Sequence, residues 1–331
     1  MSKYFKFDSK KGVITVILLS YNTGEMLYDA IDSVLMQDYP FIELIVADDG
    51  SEIFPRERIE KYIQERKRNN IIDCTIIHRK RNVGTVKNIN RALKISKGEY
   101  IRILGGDDAY PYPNTFSDTI NMMKDNVIAV VGKWMQCDEH LNPIKDKRTE
   151  KSNDAINKVL DLGYVEGRKF ISKHDIFPIA NQATCYKRLF FEKYGLCDED
   201  YYLIEDITLS HRILKEGKNV VAYNKYTVKH RAKGGISSSR EMFSPRRLLY
   251  YKDCITYAKK DVDKSPEIYS WLFRKENIRI YEFVYQMIKA KKNKNILCML
   301  LLVVGYMDAI VYYGCTRPHK LLKKIFESIC V

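Results

Sequence analysis

Runs of consecutive apolar residues alternate with apolar stripes of helical period along the first part of the chain. Val13-Ile14-Thr15-Val16-Ile17-Leu18-Leu19 is continuous and rich in β-branched residues, as a buried strand requires. It runs into the turn cluster Ser20-Tyr21-Asn22-Thr23-Gly24, where Asn22 or Thr23 can cap a helix. Leu27, Ala30, Ile31, Val34 and Leu35 then share one helical face, and Tyr39-Pro40 stops it. Phe41 to Ala47 predicts a second strand, ending in Asp48-Asp49-Gly50-Ser51. Ile59, Tyr62 and Ile63 mark a second helix, and Ile71 to His78 a third strand. Val86, Ile89, Ala92 and Leu93 line a third helix, closed by Lys97-Gly98. Tyr100 to Leu104 predicts a fourth strand; Phe116, Ile120 and Met123 mark a helix, and Val127 to Val131 a further strand.

Strands alternating with helices of this length imply βαβ units and a mostly parallel sheet flanked by helices. Right-handed crossovers put the loops that follow the strands on one rim. That rim gathers Ser20 to Asn22, Asp48-Asp49 and Asp107-Asp108 from three strands. Gly105 and Gly106 let the backbone turn sharply before the last pair. Two adjacent carboxylates repel unless a cation sits between them and an anion. Ligands of open α/β sheets bind at the carboxyl ends of strands. The pattern points to a divalent metal holding a diphosphate; an ordinary solvated Asp-Asp turn is the plain alternative.

From Met135 to Phe177 the periodicity weakens, and the segment reads as an inserted loop region with one helix near Arg168 to Lys173. Order returns at Pro178 to Thr184, followed by a helix from Leu189 to Tyr194. Glu205-Asp206 opens a further helix that Gly217 ends, and Asn219 to Tyr223 predicts a last strand. An acidic pair at a helix N-terminus has a structural explanation of its own, because it offsets the helix dipole. His230 to Ser239 is a basic, glycine- and serine-rich loop, either a lid in which Arg231 and Lys233 close over a diphosphate or a linker to the C-terminal part. Leu248 to Ala290 reads as helical. Ile296 to Met307 is almost wholly apolar, but Asp308 interrupts it before Ala309 to Tyr313. A spanning helix needs ~20 apolar residues. Lys291, Lys292 and Lys294 precede the run, and Arg317, Lys320, Lys323 and Lys324 follow it. The expectation is a helix lying in an anionic membrane interface, with a buried helix as the alternative.

Composition adds two constraints. A formal net charge of +14 favours an acidic partner: nucleotide phosphates, nucleic acid or an anionic membrane. Lys and Arg are spread throughout rather than interleaved with aromatics on one face, which argues against nucleic acid. The 8 cysteines include no Cys-x-x-Cys pair, so neither a zinc site nor a redox motif is indicated, and they read as thiols of a reducing compartment. The polar start and the short apolar run after it do not make a secretion signal.

Five stretches in order resemble glycosyltransferase family 2, nucleotide-sugar enzymes of the GT-A fold. They are Val16 to Asn22, Ala30 to Gln37, Val46 to Ser51, Asn82-Val83-Gly84 through Asn90 with Lys97 to Ile101, and Glu205-Asp206. The likeness covers about residues 12–239 and is closest to bacterial capsule and O-antigen transferases. It implies a GT-A domain over residues 1–239, with a nucleotide half at about 12–134 and an acceptor half at about 135–239. A helical, membrane-associated region over 240–331 would follow. By the resemblance, Ser20, Tyr21, Asn22, Asp48, Asp49, Lys87, Asp107 and Arg231 would bind a UDP-sugar. Asp108, Asp107 and His230 would hold Mn²⁺ or Mg²⁺, and Asp206 with Glu205 would supply the base of an inverting transfer. The implied acceptor is a saccharide, lipid-linked on a polyprenyl diphosphate or free, met by a peripheral protein on the cytoplasmic face of the cell membrane. Gly105 stands where the family's D-x-D motif has its first Asp, which leaves fewer protein ligands for a metal. A non-catalytic sugar-nucleotide-binding subunit therefore stays open, and a nucleotidyltransferase is disfavoured because the sequence lacks the glycine- and lysine-rich N-terminal loop such enzymes carry.

Overall fold

The computed structural model describes residues 9–124, 126–232 and 247–316 of the 331-residue chain. The elements run β1 (Lys10–Ser20), α1 (Met26–Leu35), β2 (Ile42–Asp48), α2 (Arg56–Arg66), β3 (Ile71–Ile77), α3 (Thr85–Ile95) and β4 (Gly98–Gly105). Then come α4 (Thr115–Asn121), β5 (Ala129–Cys137), α5 (Lys147–Asp154), α6 (Ile156–His174), β6 (Thr184–Lys187), α7 (Arg188–Tyr194), α8 (Asp206–Glu216) and β7 (Val220–Arg231). The C-terminal part holds α9 (Leu248–Tyr257), α10 (Trp271–Lys292), α11 (Ile296–Gly305) and α12 (Met307–Thr316). By their internal contacts the described residues form two units. One runs to Glu199 and resumes at Ile204; the other joins Asp200–Leu203 to the C-terminal helices.

The first unit is built on a seven-stranded sheet of order β3-β2-β1-β4-β6-β5-β7. The pairs β3–β2, β2–β1, β1–β4 and β5–β7 are parallel; β6 runs antiparallel to both β4 and β5. Every residue of β2 is buried, as its continuous apolar run requires. Glu43 and Asp48 are the charged exceptions in β2, and Glu43 is satisfied by Thr15 Oγ1 and the backbone N–H groups of Lys97 and Gly98. The apolar stripes of α1 and α3 face the sheet, and α3 also sends Asn88 Nδ2 to the carbonyl of Ala47 at 2.7 Å.

Three expectations are corrected. Met135 to Phe177 is not a loop insertion: β5 continues to Cys137, and α5 and α6 follow, α6 kinked where Gly163 takes a positive φ of 70°. The last strand does not stop at Tyr223 but runs on to Arg231, because its backbone keeps pairing with β5 past the exposed residues 224–226. His230 and Arg231 therefore end a strand rather than open a lid; Lys233 and the rest of that glycine-rich stretch lie outside the described residues.

In the second unit, Asp253 of α9 accepts from the backbone N–H groups of Tyr202 and Leu203. Ile280, Phe283, Val284, Met287 and Ile288 form the buried face of α10. The apolar run after Lys294 is broken at Tyr306 into α11 and α12, and no helix among the described residues is long and apolar enough to cross a membrane. Leu297, Leu300, Leu301 and Val304 of α11 are exposed, as are Met307 and Val311 of α12. The basic residues after Thr316 lie outside the described residues.

Candidate active site

The register of the parallel strands sets the site. Ser20 stands beside Asp48, and Leu19 beside Gly105. Two backbone bonds carry this pairing into the loops: Asp49 N–H donates to the Ser20 carbonyl at 2.9 Å, and Gly106 N–H to the Leu19 carbonyl at 2.7 Å. A Cβ at position 106 would lie 2.8 Å from that carbonyl, so only glycine permits the approach. The tips of β1, β2 and β4 are thus laced into one rim.

On the β1–β2 side, Asn22 takes a positive φ of 53°, which its short polar side chain tolerates. Its N–H donates to Ser51 Oγ at 2.7 Å and its side-chain oxygen accepts from Glu52 N–H at 3.0 Å. Asp48 is fully buried and accepts four bonds: from Gly50 N–H, Ser51 N–H, Ser51 Oγ and the His78 ring at 2.8 Å. A carboxylate offers about four acceptor sites, so Asp48 is filled by its own loop. Asp49 accepts from Val83 N–H and Gly84 N–H, tying β2 to the start of α3. Burial pushes its pKa up, opposed by those two N–H groups. The ring of Tyr21 is half exposed, and Lys87 is exposed in the first turn of α3.

On the β4 side, Asp107 and Asp108 meet β7. Ala109 and Lys229 exchange backbone bonds of 3.1 and 2.8 Å, which brings His230 and Arg231 against the acidic turn. His230 Nδ1 lies 3.0 and 3.1 Å from the two carboxylate oxygens of Asp108, and Arg231 N–H donates to Asp108 Oδ1 at 2.9 Å. Burial lowers the His230 pKa, but the charge and hydrogen bond of Asp108 outweigh it and raise the value to about 8. Asp107 is pushed up to about 6, first by burial and then by the charge of Asp108. The guanidinium of Arg231 is buried and turned inward, to the carbonyls of Asp107 and Glu139 and to Asp29 of α1. A Cβ at Gly105 would stand 2.7 Å from Asp107 Oδ1, so the side chain that the D-x-D motif has at this position would displace that carboxylate.

Glu205 and Asp206 open α8. Glu205 Oε1 accepts from Asn181 Nδ2 at 3.3 Å, and Asn181 in turn accepts from Tyr186 OH on β6. The short 3₁₀ turn that carries Asn181 packs on both β4 and α8, so this pair is linked to the sheet through β6 and β4. Asp206 Oδ1 accepts from Ile207 N–H at 2.8 Å, and burial pushes its carboxyl pKa above the ordinary range.

The structure thus brings Ser20, Asn22 and Asp48 into one stitched loop pair, and Asp107, Asp108, His230 and Arg231 into one cluster. Among the described residues no group of three His, Cys, Asp or Glu side chains is arranged to hold a metal alone. A divalent cation commonly takes one or two carboxylates and fills its remaining positions with substrate phosphate and water. The half-buried Asp107 beside Asp108, its carboxyl raised by desolvation and like charge, suits that mode. Sequence reasoning missed His78, Asn181 and Asp29. His78 was open to detection because it directly follows β3 on the ligand-facing rim; Asp29 looks like any polar residue on an amphipathic helix.

The family model described as Glycosyl transferase family 2 matches residues 15–195. The glycosyltransferase GlyG of Streptococcus pneumoniae is 27% identical over 127 residues, 38% of this chain, and the match spans 40% of that relative's length. The mannosyltransferase PcManGT of Pyrobaculum calidifontis, solved with GDP-Man and Mn²⁺, superposes with a TM-score of 0.56 at 16% identity, over 99% of this chain and 88% of that one. S. aureus TarS, solved with UDP-GlcNAc, gives 0.54 at 14% identity, over 89% of this chain and 92% of that one. At such identities these two likenesses establish the fold, a GT-A sheet with helices on both sides.

Proposed function

This chain belongs to glycosyltransferase family 2, and we propose that it transfers a sugar, with inversion, from a UDP-sugar to a glycan hydroxyl. The observation that carries this reading is the lacing of β1, β2 and β4 at their carboxyl ends, which pairs Ser20 with Asp48 on one side and Leu19 with Gly105, just before the Asp107-Asp108 turn, on the other. The donor class draws support from the two solved neighbours, one in complex with UDP-GlcNAc and the other with GDP-Man and Mn²⁺.

Ser20, Tyr21 and Asn22 face the nucleoside, with Asp49 as the acidic group that keeps acceptor capacity, since Asp48 is filled. Lys87 reaches the diphosphate from α3. Asp108 and Asp107 would hold Mn²⁺ or Mg²⁺, with His230 fixing Asp108. A cation held there would supply positive charge against the negative charge building on the departing diphosphate. Asp206 takes the proton of the acceptor hydroxyl as its oxygen attacks the anomeric carbon and the diphosphate leaves from the opposite face. Burial raises the Asp206 pKa toward the working pH, which makes it a better base. Asn181 holds Glu205 and so orients the helix start beside it.

Asp206→Asn tests the base. General base catalysis contributes ~10²- to 10⁴-fold. Transfer should fall by that factor with the circular dichroism unchanged; a loss of only a few-fold would remove Asp206 from the role. Gly105 favours one second reading, a subunit that binds sugar nucleotide without turning it over. Binding of UDP-sugar with neither transfer nor hydrolysis in Mn²⁺ would select it.

We take residues 1–239 as the transferase domain and 240–331 as its membrane-docking region, serving a polyprenyl-diphosphate-linked acceptor at the cytoplasmic face. Support comes from α11, whose apolar side chains are exposed directly after Lys291, Lys292 and Lys294. Such a helix binds an anionic interface by apolar burial plus charge. The double variant Leu297→Gln, Leu301→Gln should lose most of its flotation with phosphatidylglycerol vesicles; flotation equal to wild type would refute the docking face.

A further inference from the structure

Arg231 is buried on the last residue of β7, and a buried guanidinium is costly unless every side of it is answered. Nε donates to the Asp107 carbonyl at 2.7 Å, one terminal nitrogen to the Glu139 carbonyl, and the other to Asp29 Oδ2 at 2.7 Å. Its main-chain N–H meanwhile donates to Asp108 Oδ1 at 2.9 Å. One residue therefore grips both members of the acidic turn, Asp107 by its backbone and Asp108 by its carboxylate. Asp29 supplies the opposite charge from the first turn of α1, the helix entered through the Ser20 to Asn22 loop.

We propose that Asp29 and Arg231 form a latch that sets the position of Asp107 and Asp108, and that both are positioning residues rather than contacts to the donor. This rests on the reading of Asp107 and Asp108 as cation ligands. The fork makes the assignment specific. Three directional bonds from one planar group to three separate elements are what arginine provides and lysine cannot. A guanidinium turned inward to a carbonyl, a second carbonyl and a carboxylate has little surface left for a phosphate.

The experiment measures Mn²⁺ affinity at saturating UDP by calorimetry, UDP affinity in EDTA, and thermal unfolding, for wild type, Asp29→Asn, Asp29→Glu and Arg231→Lys. Partners that orient metal ligands typically carry ~10- to 100-fold in affinity. Asp29 is half exposed and Asn keeps an acceptor for the guanidinium, so Asp29→Asn should stay folded, with only a modest fall in unfolding temperature, and bind Mn²⁺ about tenfold more weakly, with UDP affinity in EDTA unchanged. Asp29→Glu should recover most of the loss, and Arg231→Lys should not, although it keeps the charge. Unchanged Mn²⁺ affinity in both Asp29→Asn and Arg231→Lys overturns the latch. A fall of UDP affinity in EDTA on Arg231→Lys overturns it in favour of a direct phosphate contact. A wild-type protein that binds no Mn²⁺ removes the cation reading itself, and the latch with it.

Discussion

The chain carries two Asp-Asp pairs on the same rim of the same sheet, and they do opposite things. At the end of β2, Asp48 is satisfied from within, by loop N–H groups, Ser51 Oγ and His78, while the N–H groups of Val83 and Gly84 hold Asp49 in place. Asp107 and Asp108 follow β4, and Asp108 is held more sparsely than Asp48, by His230 and one backbone N–H, with Asp107 raised to about 6 by burial and by its neighbour's charge. The dipeptide alone therefore says nothing about chemistry. The number of donors that the surrounding backbone supplies decides whether a carboxylate shapes a loop or keeps its charge for a ligand.

The sharpest break of this comparison is in activity. Asp108→Asn keeps the shape of the side chain and removes the charge the cation needs. Losing one preorganised electrostatic group at a reacting centre typically costs ~10²- to 10³-fold. Transfer from the donor should fall by that much, while Mn²⁺ with UDP should no longer raise the melting temperature as it does for wild type. Asp108→Asn with near-wild-type turnover would mean that Asp108 is as structural as Asp48.

The reciprocal test is on stability. Asp48→Ala leaves Gly50 N–H, Ser51 N–H and the His78 ring without their acceptor, and buried donors left unpaired cost ~1–3 kcal/mol each, partly recovered by water. A loss of about 2–4 kcal/mol in thermal or urea unfolding is expected. The folded fraction should still bind Mn²⁺ with UDP. A stable Asp48→Ala protein that has lost nucleotide binding would instead return Asp48 to the donor site.

Why the two pairs were indistinguishable in the sequence follows from where their partners sit. The strands β1 to β4 were legible because their apolar runs are long and the helices between them keep a clean period. Their common rim was legible too, because parallel strands with right-handed crossovers put the following loops on one edge. β6 was not: Thr184–Lys187 is four residues between a 3₁₀ turn and α7, too short to show alternation. The end of β7 was hidden because the exposed stretch Asn224-Lys225-Tyr226 reads as loop; the register shifts across Asn224 and Lys225, and pairing with β5 resumes at Tyr226 and runs on to Arg231. The contacts of the site were beyond reach for a different reason. Asp48 is filled by residues two and three positions on and by His78, thirty away, and Arg231 meets Asp29 across 202 residues. No local pattern marks such pairs; only the assembled rim does.

The smallest expected effect concerns Gly105, which decides how the second pair is presented. A Cβ there would sit 2.7 Å from Asp107 Oδ1 and 3.4 Å from Asp108 Oδ2, so Gly105→Ala obliges the Asp107 carboxylate to swing aside. The obstacle is the end of a short side chain rather than backbone, so the fold should tolerate the methyl group within about 1 kcal/mol. The charge count at the turn is also unchanged. What changes is direction, and ligands held off their productive geometry lose efficiency without losing the site. Transfer should fall by about tenfold, a barrier increase of about 1.4 kcal/mol, with Mn²⁺ needed at higher concentration for half-maximal rate. If Gly105→Ala left rate and Mn²⁺ dependence untouched, the position of Asp107 would be irrelevant to the reaction, and Asp108 alone would distinguish this turn from Asp48-Asp49.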